Sequence, residues 1–348
     1  MNVLSLNAGS SSLKFGFFRV AALQKECLVR GSANSLEDVA GQLEGAGAPR
    51  VEAIGHRIVH GGPRLHSPCH ADGFSLRQLE EAAVFAPLHT PAALALILGS
   101  RARFPRARQV LCFDTGFHAG LPDVARVLPI PREFERAGIR RYGFHGLSCE
   151  SILRQLGRDV PRRTIVAHLG SGASVTAILD RESVDTTMGL TPTGGVVMGT
   201  RSGDLDPGVL LHLMRSRKLD ADAMEQLLDH RSGLLGVSGL ASDIRELHHA
   251  ESTSADARLA VQMFCASVCK QVAAMITVLG GADLIVFTGG IGENDAAVRA
   301  SVCHGLAWFG ITMGEDSRCR VRVMASQEEE QIARHVFALL SDGQVAAR

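Results

Sequence analysis

Apolar residues fall in short runs separated by clusters of glycine, serine and threonine, and the spacing within each run predicts the element it forms. At residues 3–18 apolar positions flank a polar segment of small residues, Asn7 to Ser12, which predicts two strands joined by a tight turn. Residues 53–62 read as a strand ending on the pair Gly61-Gly62, and residues 109–113 as a buried strand ending on Asp114. Residues 75–104 have a helical pattern broken between Ala86 and Pro91, where two prolines prevent a continuous helix. A helix over 148–157 leads to residues 164–179, where the opening pattern returns: strand, a small-residue turn of Gly and Ser, strand. Residues 255–279 carry Ala260, Phe264, Val268, Val272, Met275, Ile276 and Leu279 at helical spacing, which predicts a core helix. Residues 282–288 read as a buried strand followed by a glycine turn and a helix start, and the chain closes with a strand at 320–324 and a short helix. Two stretches resist this reading. Residues 31–50, rich in Gly, Ala and polar side chains, predict a helix or loop, while 185–208 is dense enough in Gly, Thr and Pro to predict a long ordered loop.

A hairpin repeated roughly 160 residues further on implies two copies of one supersecondary plan. A length of 348 residues, comfortable for two cores, agrees. Formal net charge is zero, and no cluster of basic residues suggests a nucleic-acid partner. The eight cysteines are scattered without CxxC or zinc-ligand spacing; Cys112, Cys265 and Cys269 lie in apolar runs and read as buried free thiols of a reducing cytoplasm. The chain opens directly on a strand, and no uninterrupted apolar run approaches the roughly 18 residues of a membrane span. A cytosolic protein with no membrane partner is expected.

Several positions carry candidate chemistry, each with a plainer alternative. The first turn suits phosphate, because Gly9 admits close backbone approach and Ser10, Ser12 and Lys14 supply donors; an ordinary Ser-rich turn is the alternative until a second such turn is found at 170–174. Arg57 interrupts an apolar strand, either as a solvated edge residue or as an anion clamp. Asp114 ends a buried strand, where metal-binding or catalytic acids sit, although it could equally cap a helix. His145 stands between glycine and aromatic neighbours after Arg140-Arg141. Arg201 lies in the long loop as a second guanidinium clamp or as the partner of Asp204 or Asp206. The turn after residue 288 offers backbone amides to an anion, yet it is not GxGxxG, and no Walker pattern occurs.

Taken in order, Asn7-Ala8-Gly9-Ser10-Ser11-Ser12-Leu13-Lys14-Phe15, Gly143-Phe144-His145-Gly146, His168-Leu169-Gly170-Ser171-Gly172-Ala173-Ser174, Met198-Gly199-Thr200-Arg201-Ser202-Gly203-Asp204 and Phe287-Thr288-Gly289-Gly290-Ile291-Gly292-Glu293-Asn294 resemble the acetate kinase family nearly end to end. The resemblance implies an α/β, duplicated actin-like (ribonuclease H-like) ATPase fold with two domains around a cleft. Residues 1–144, completed by 328–348, would form the acyl and phosphoryl side, and 145–327 the nucleotide-binding domain. It implies a homodimer and direct in-line transfer of the ATP γ-phosphate to acetate, giving acetyl phosphate and ADP with Mg²⁺, or Mn²⁺ in its place. By this similarity Arg57, Asp114, His145 and Arg201 would be catalytic, and Asn7, Ser10, Ser12 and Lys14 would line the phosphate side. His168, Gly170, Ser171, Gly172, Asp243, Arg245, Gly289, Gly290, Ile291, Gly292, Glu293 and Asn294 would hold the nucleotide. Val59, Leu88, Phe144 and Pro192 would receive the methyl group, and Asn7, Asp114 and Glu328 would serve the metal.

The sequence departs from the family pattern in a shortened region around 20–50 and at Ser171, Thr90, Cys149 and Thr193-Gly194. None of these removes a charged group given a role above. The alternatives are a propionate or butyrate kinase of the same fold and, from another class, an actin-like ATPase or binding module without a carboxylate acceptor.

Overall fold

The computed structural model describes residues 1–8, 13–22, 24–87, 89–314 and 316–345. Its backbone forms two sheets. The first contains β1 (Asn2–Ala8), β2 (Leu13–Val20), β3 (Lys25–Ala33), β4 (Ala53–Ile58), β5 (Cys69–His70) and β6 (Arg108–Phe113), in the order β3-β2-β1-β4-β6-β5. The second contains β7 (Arg163–Leu169), β8 (Ala173–Leu179), β9 (Glu182–Thr186), β10 (Leu284–Thr288) and β11 (Arg320–Val323), in the order β11-β10-β7-β8-β9. Each sheet begins as a three-stranded antiparallel meander; its first strand then pairs with one parallel strand, which in turn pairs with a second. The duplication read from the two hairpins therefore extends through five strands of each sheet, as the actin-like ATPase fold requires, and only the short antiparallel β5 has no counterpart among the described residues.

Alternation explains the first sheet. Val3 and Phe18 face one side, where they pack with Val110, Leu147, Ile332 and Val336; Leu4, Leu6, Phe15 and Phe17 face the other, with Leu36, Val39 and Leu43. Both faces are covered by helices. Phe15, Phe17 and Phe18 are fully buried, each worth about 1.5–3 kcal/mol of apolar transfer. In the second sheet the helix Ala255–Leu279 packs on β7 and β8 and buries Phe264, Val268, Val272 and Met275. By length and composition alone that helix could cross a membrane; its buried stripe makes it the core helix that its spacing predicts.

The chain divides into two compact units, Met1–Ala119 with Phe144–Gln155 and Gln327–Arg348, and Gly120–Gly143 with Leu156–Ser326. Against the expected division into 1–144 with 328–348 and 145–327, these units exchange the segments 120–143 and 145–155. Leu147 belongs to the core of the first unit, and Arg154 of the same helix pairs with Glu330 at 2.5 Å. Conversely, Arg141 donates to the carbonyls of Ala125 and Thr186, and Tyr142 N–H to that of Gly189, so the 120–143 segment belongs with the second unit.

β3 is a further difference, since residues 31–33 continue a strand from Lys25 before the helix Leu36–Gly45 begins. Its mostly exposed side chains carry no alternation for the sequence pattern to show. The closing helix is also longer than expected, Glu328–Val345, with Glu328, Glu329 and Glu330 in its first turn. All eight cysteines are free thiols; Cys112 and Cys265 are buried and Cys269 half-buried.

Candidate active site

In the first unit, parallel pairing places Arg57 of β4 opposite Cys112 of β6, two residues before Asp114. The Arg57 guanidinium donates to Asp114 through Nε at 3.0 Å and also through Nη2, and Nη1 donates to Asn7 Oδ1 at 3.1 Å. Asn7 Nδ2 in turn donates to Glu328 Oε2 at 3.0 Å and to Glu329 Oε1 at 3.2 Å. The arginine is therefore no solvated edge residue. Burial works against its charge, but Asp114, Glu328 and Glu329 outweigh that and raise its pKa, so the guanidinium is held charged. Burial pushes the Asp114 carboxyl up while Arg57 pulls it back. Asp114 is 1% exposed, and its Oδ1 has no hydrogen-bond partner. Nor does its side chain cap a helix, the alternative open to it.

His145 is brought to Asp114 by the backbone. Gly146 N–H donates to the Asp114 carbonyl at 2.8 Å, and a Cβ on Gly146 would collide with that same oxygen. His145 itself is held at φ 58°, a left-handed conformation unusual for a residue with a side chain. Buried His118 contacts the Phe144 carbonyl through Nε2 at 2.9 Å, and burial lowers its pKa to about 4. Phe144 meets the His60 ring edge-on at 5.6 Å, and His60 stacks on Phe85 at 5.3 Å. Half-buried Val59 precedes His60. Lys14 is exposed and pairs across the hairpin with Asn7. Ser10, Ser12 and Leu88 lie outside the described residues.

The second unit gathers its glycine loops. A Cβ on Gly289, which sits at φ 78°, would come within 2.7 Å of the Leu169 carbonyl oxygen and 3.1 Å of His168 Nε2. The start of the helix Gly289–Asn294 thus lies bare against the second hairpin turn. Gly290 is exposed, and a Cβ there would meet nothing within 4 Å. Gly199 N–H donates to Ser171 O at 3.3 Å, and Gly199 also lies against Ser242. That contact joins Gly170 to Gly172, the Arg201 loop and Asp243 in one region. Arg201 Nη1 donates to Pro192 O at 3.3 Å, Asp204 accepts from Gly195 N–H, and Asp206 caps the helix Pro207–Arg217. Asp243 caps the helix Ile244–Ala250 and pairs with the exposed Arg245 guanidinium, which lowers the Asp243 pKa. Glu293 Oε1 accepts from Gly289 N–H at 3.0 Å and Ser326 N–H at 2.9 Å, which fixes the loop; Asn294 donates back to Gly290 O, while Ile291 and Gly292 lie within the turn.

The model of the acetokinase family matches residues 34–336 of this chain. The chain belongs to the acetokinase family. It is 40% identical to an acetate kinase of Methylocella silvestris over 97% of this chain and 98% of the relative. The crystal structure of the Porphyromonas gingivalis acetate kinase is similar at TM-score 0.86 and 32% identity, covering 97% of this chain and 99% of that one. A propionate kinase of Francisella tularensis is similar at TM-score 0.87 and 33% identity, with coverages of 97% and 99%. Within this acetokinase, residues that the motif reading passed over are His60, His118 and Glu329. Each left a trace in the sequence, His60 before Gly61-Gly62, His118 four residues after Asp114 and Glu329 in the acidic run 327–330, but the contacts that bring them to Phe144 and Asn7 are encoded in no local pattern.

Proposed function

We propose that this acetokinase transfers the γ-phosphate of ATP to acetate, reversibly, forming acetyl phosphate and ADP in the cytoplasm. The observation that carries the reading is the buried Arg57–Asp114 pair, linked through Asn7 to Glu328, with one Asp114 oxygen unpartnered. A carboxylate acceptor and a phosphoryl group are both anions, and phosphoryl transfer needs positioning and charge neutralisation more than covalent help. By the family resemblance Arg57 and Arg201 would each offer a guanidinium, to the acceptor carboxylate and to the transferred group. An acetate oxygen attacks the γ-phosphorus in line, a new P–O bond forms, the bond to the β-phosphate oxygen breaks, and ADP leaves with that electron pair. His145 donates a hydrogen bond to the phosphoryl oxygens as charge spreads over them. Asn7, Ser10, Ser12 and Lys14 attend the phosphate, and the turn at 170–172, Asp243, Arg245 and residues 289–294 hold the nucleotide.

The residues also fit Mg²⁺. Among the described residues no three His, Cys, Asp or Glu side chains cluster as a self-sufficient metal cage. Mg²⁺ needs none, because it takes one or two carboxylates and completes its shell with water and phosphate oxygens. The free Asp114 oxygen with Glu328, and Asn7 alongside, would hold it, and Mn²⁺ would satisfy the same hard-oxygen set. When bound, the ion supplies charge neutralisation at the phosphate oxygens.

The family resemblance assigns the acceptor's methyl group to Val59, Leu88, Phe144 and Pro192; of these, Phe144 packs edge-on against His60, which stacks on Phe85. Propionate is the second reading, favoured by the similarity to a propionate kinase. One methylene in such a pocket separates acyl acceptors by only about 1–3 kcal/mol. The functional unit is a homodimer. The helix Pro207–Arg217 buries none of its residues and leaves Leu211 and Met214, one turn apart, 50% and 39% exposed. A coupled assay of ADP release tests the activity: turnover should depend on added acetate, and equal ATP consumption with and without carboxylate would leave only an ATPase.

A further inference from the structure

His248 stands in the last turn of the helix Ile244–Ala250, one turn beyond Arg245, and both of its ring nitrogens face carboxylates. Nδ1 lies 3.0 Å from Glu251 Oε1 and Nε2 lies 2.9 Å from Asp295 Oδ2. Ionised carboxylates only accept hydrogen bonds, so a ring N–H on either side finds a charged acceptor, which makes the contact a charge-assisted bridge. Asp295 has a second commitment. Its Oδ1 caps the helix Ala296–Gly305 by accepting from Val298 N–H at 3.0 Å, and it is the first residue after Gly289–Asn294. Arg299 of the capped helix donates to the carbonyls of Gly292 and Glu293, both at 3.0 Å.

The bridge therefore joins two segments that have no sequence proximity. One is the helix that Asp243 caps and that carries Arg245 in its first turn; the other is the junction at the end of the bare glycine turn. From the neighbouring helix Ala255–Leu279, Arg258 donates to the Glu251 carbonyl at 2.7 Å, and the Cys265 thiol feels both Asp295 and Glu251. These groups, with Arg299 and the exposed His249, complete the charged and titratable surroundings of the ring.

We propose that His248 is a positioning residue of the nucleotide site, which acts by tying the Asp243–Arg245 segment to the Gly289–Asn294 turn through Glu251 and Asp295. The proposal rests on the nucleotide reading of those two segments. Without the bridge, the helix that begins at Ile244 can shift against the glycine turn, and the nucleotide must restore their register from its own binding energy. The cost falls on nucleotide affinity and leaves the acceptor side unaffected.

The test is calorimetric titration of the full-length protein with MgADP, together with steady-state kinetics. His248→Ala should weaken ADP binding and raise KM for ATP by roughly tenfold, the scale of a lost charge-assisted hydrogen bond. Its kcat at saturating ATP and its KM for acetate should stay within about twofold of wild type, a split that general loosening of the fold would not give. Asp295→Asn keeps an oxygen for the helix cap while breaking the bridge, so it should reproduce the effect, and the double variant should be no weaker than either single one. Unchanged ADP affinity in His248→Ala, additive losses in the double variant, or parallel rises of both KM values would overturn the proposal. Gly290→Leu separates the two levels of argument, since its Cβ has open space but its side chain would occupy the turn's exposed face. If it abolishes ADP binding while His248→Ala does nothing, only the bridge is wrong; if it too leaves binding intact, the nucleotide reading fails and the bridge with it.

Discussion

Arg57 and Asp114 form an ion pair whose side chains are 15% and 1% exposed. Burying two charges costs more than their attraction repays unless geometry and further hydrogen bonds are favourable, so such a pair is weak evidence of stabilisation and better evidence of use. Arg57→Ala should cost about 3–5 kcal/mol of stability, because it strands a buried carboxylate. The double variant Arg57→Ala/Asp114→Ala should recover much of that loss in denaturant melts while remaining inactive; recovered acetate-dependent turnover would show that the pair is structural only. Two buried histidines make a separate prediction. Burial lowers the His56 and His118 pKa values to about 4, against an unfolded value near 6.5. The unfolded chain therefore binds more protons between those values, and stability should fall as pH drops from about 6.5 toward 4, by about 3 kcal/mol per histidine at the limit. Chemical denaturation at pH 7.5 and pH 5 measures this directly. His118→Gln, which can still donate to the Phe144 carbonyl, should show a shallower decline, whereas an unchanged slope would contradict the assignment. At this scale the sequence marked Arg57 and Asp114 as misfits in apolar strands, but it could not choose between clamp and edge residue, or between acid and cap. The edge-residue and cap readings fall to the parallel register of β4 with β6, a pairing between segments some fifty residues apart that brings Arg57 onto Asp114.

Elements are held around the site by one buried acid. Glu330 pairs with Lys25 from β3, Arg154 from the helix Gly146–Leu156 and Arg334 one turn along its own helix. Burial pushes its pKa up, but these three cations more than offset that and hold it below the ordinary glutamate range. A carboxyl whose folded pKa is depressed contributes stability above its unfolded value and loses it as pH falls through the folded one. Glu330→Gln should therefore be less stable than wild type at neutral pH, with the gap closing as pH falls below about 4.3; a gap independent of pH would point to packing alone. Gly146 gives a sharper test of the join between β6 and the next helix. Gly146→Ala places a methyl group against the Asp114 carbonyl oxygen, so Asp114 and His145 must separate, and kcat should drop by about a hundredfold or more, as misplacing catalytic groups by an ångström does. Wild-type turnover in that variant would contradict the coupling. Strongly periodic elements such as Ala255–Leu279 were legible almost to the residue. β3 was not, because an exposed edge strand has no buried face to impose alternation, and two-residue β5 is too short to carry a pattern.

Across the whole molecule, the repeated hairpin made the duplication legible before any coordinate, and the matching order of the two sheets extends it. The limits of the two units were less accessible. The chain enters the second unit at Gly120, returns to the first at Phe144 and leaves again after Gln155, and these crossings depend on tertiary contacts such as Leu147 in the first core and Arg141 on the Thr186 carbonyl. Association belongs to this scale too. Leu211→Glu combined with Met214→Glu should yield monomers in sedimentation velocity without lowering the melting temperature by more than a few degrees, since neither side chain is buried in the single chain; an unaltered dimer would place the contact elsewhere. The central claim, phosphoryl transfer to a short carboxylate, is tested most directly by trapping the product with hydroxylamine in the presence of ATP and Mg²⁺. Acetate should give acetyl hydroxamate in step with ADP release, and Arg201→Ala should lose orders of magnitude in that rate while remaining folded. ADP released without any hydroxamate from acetate, propionate or butyrate would contradict the account.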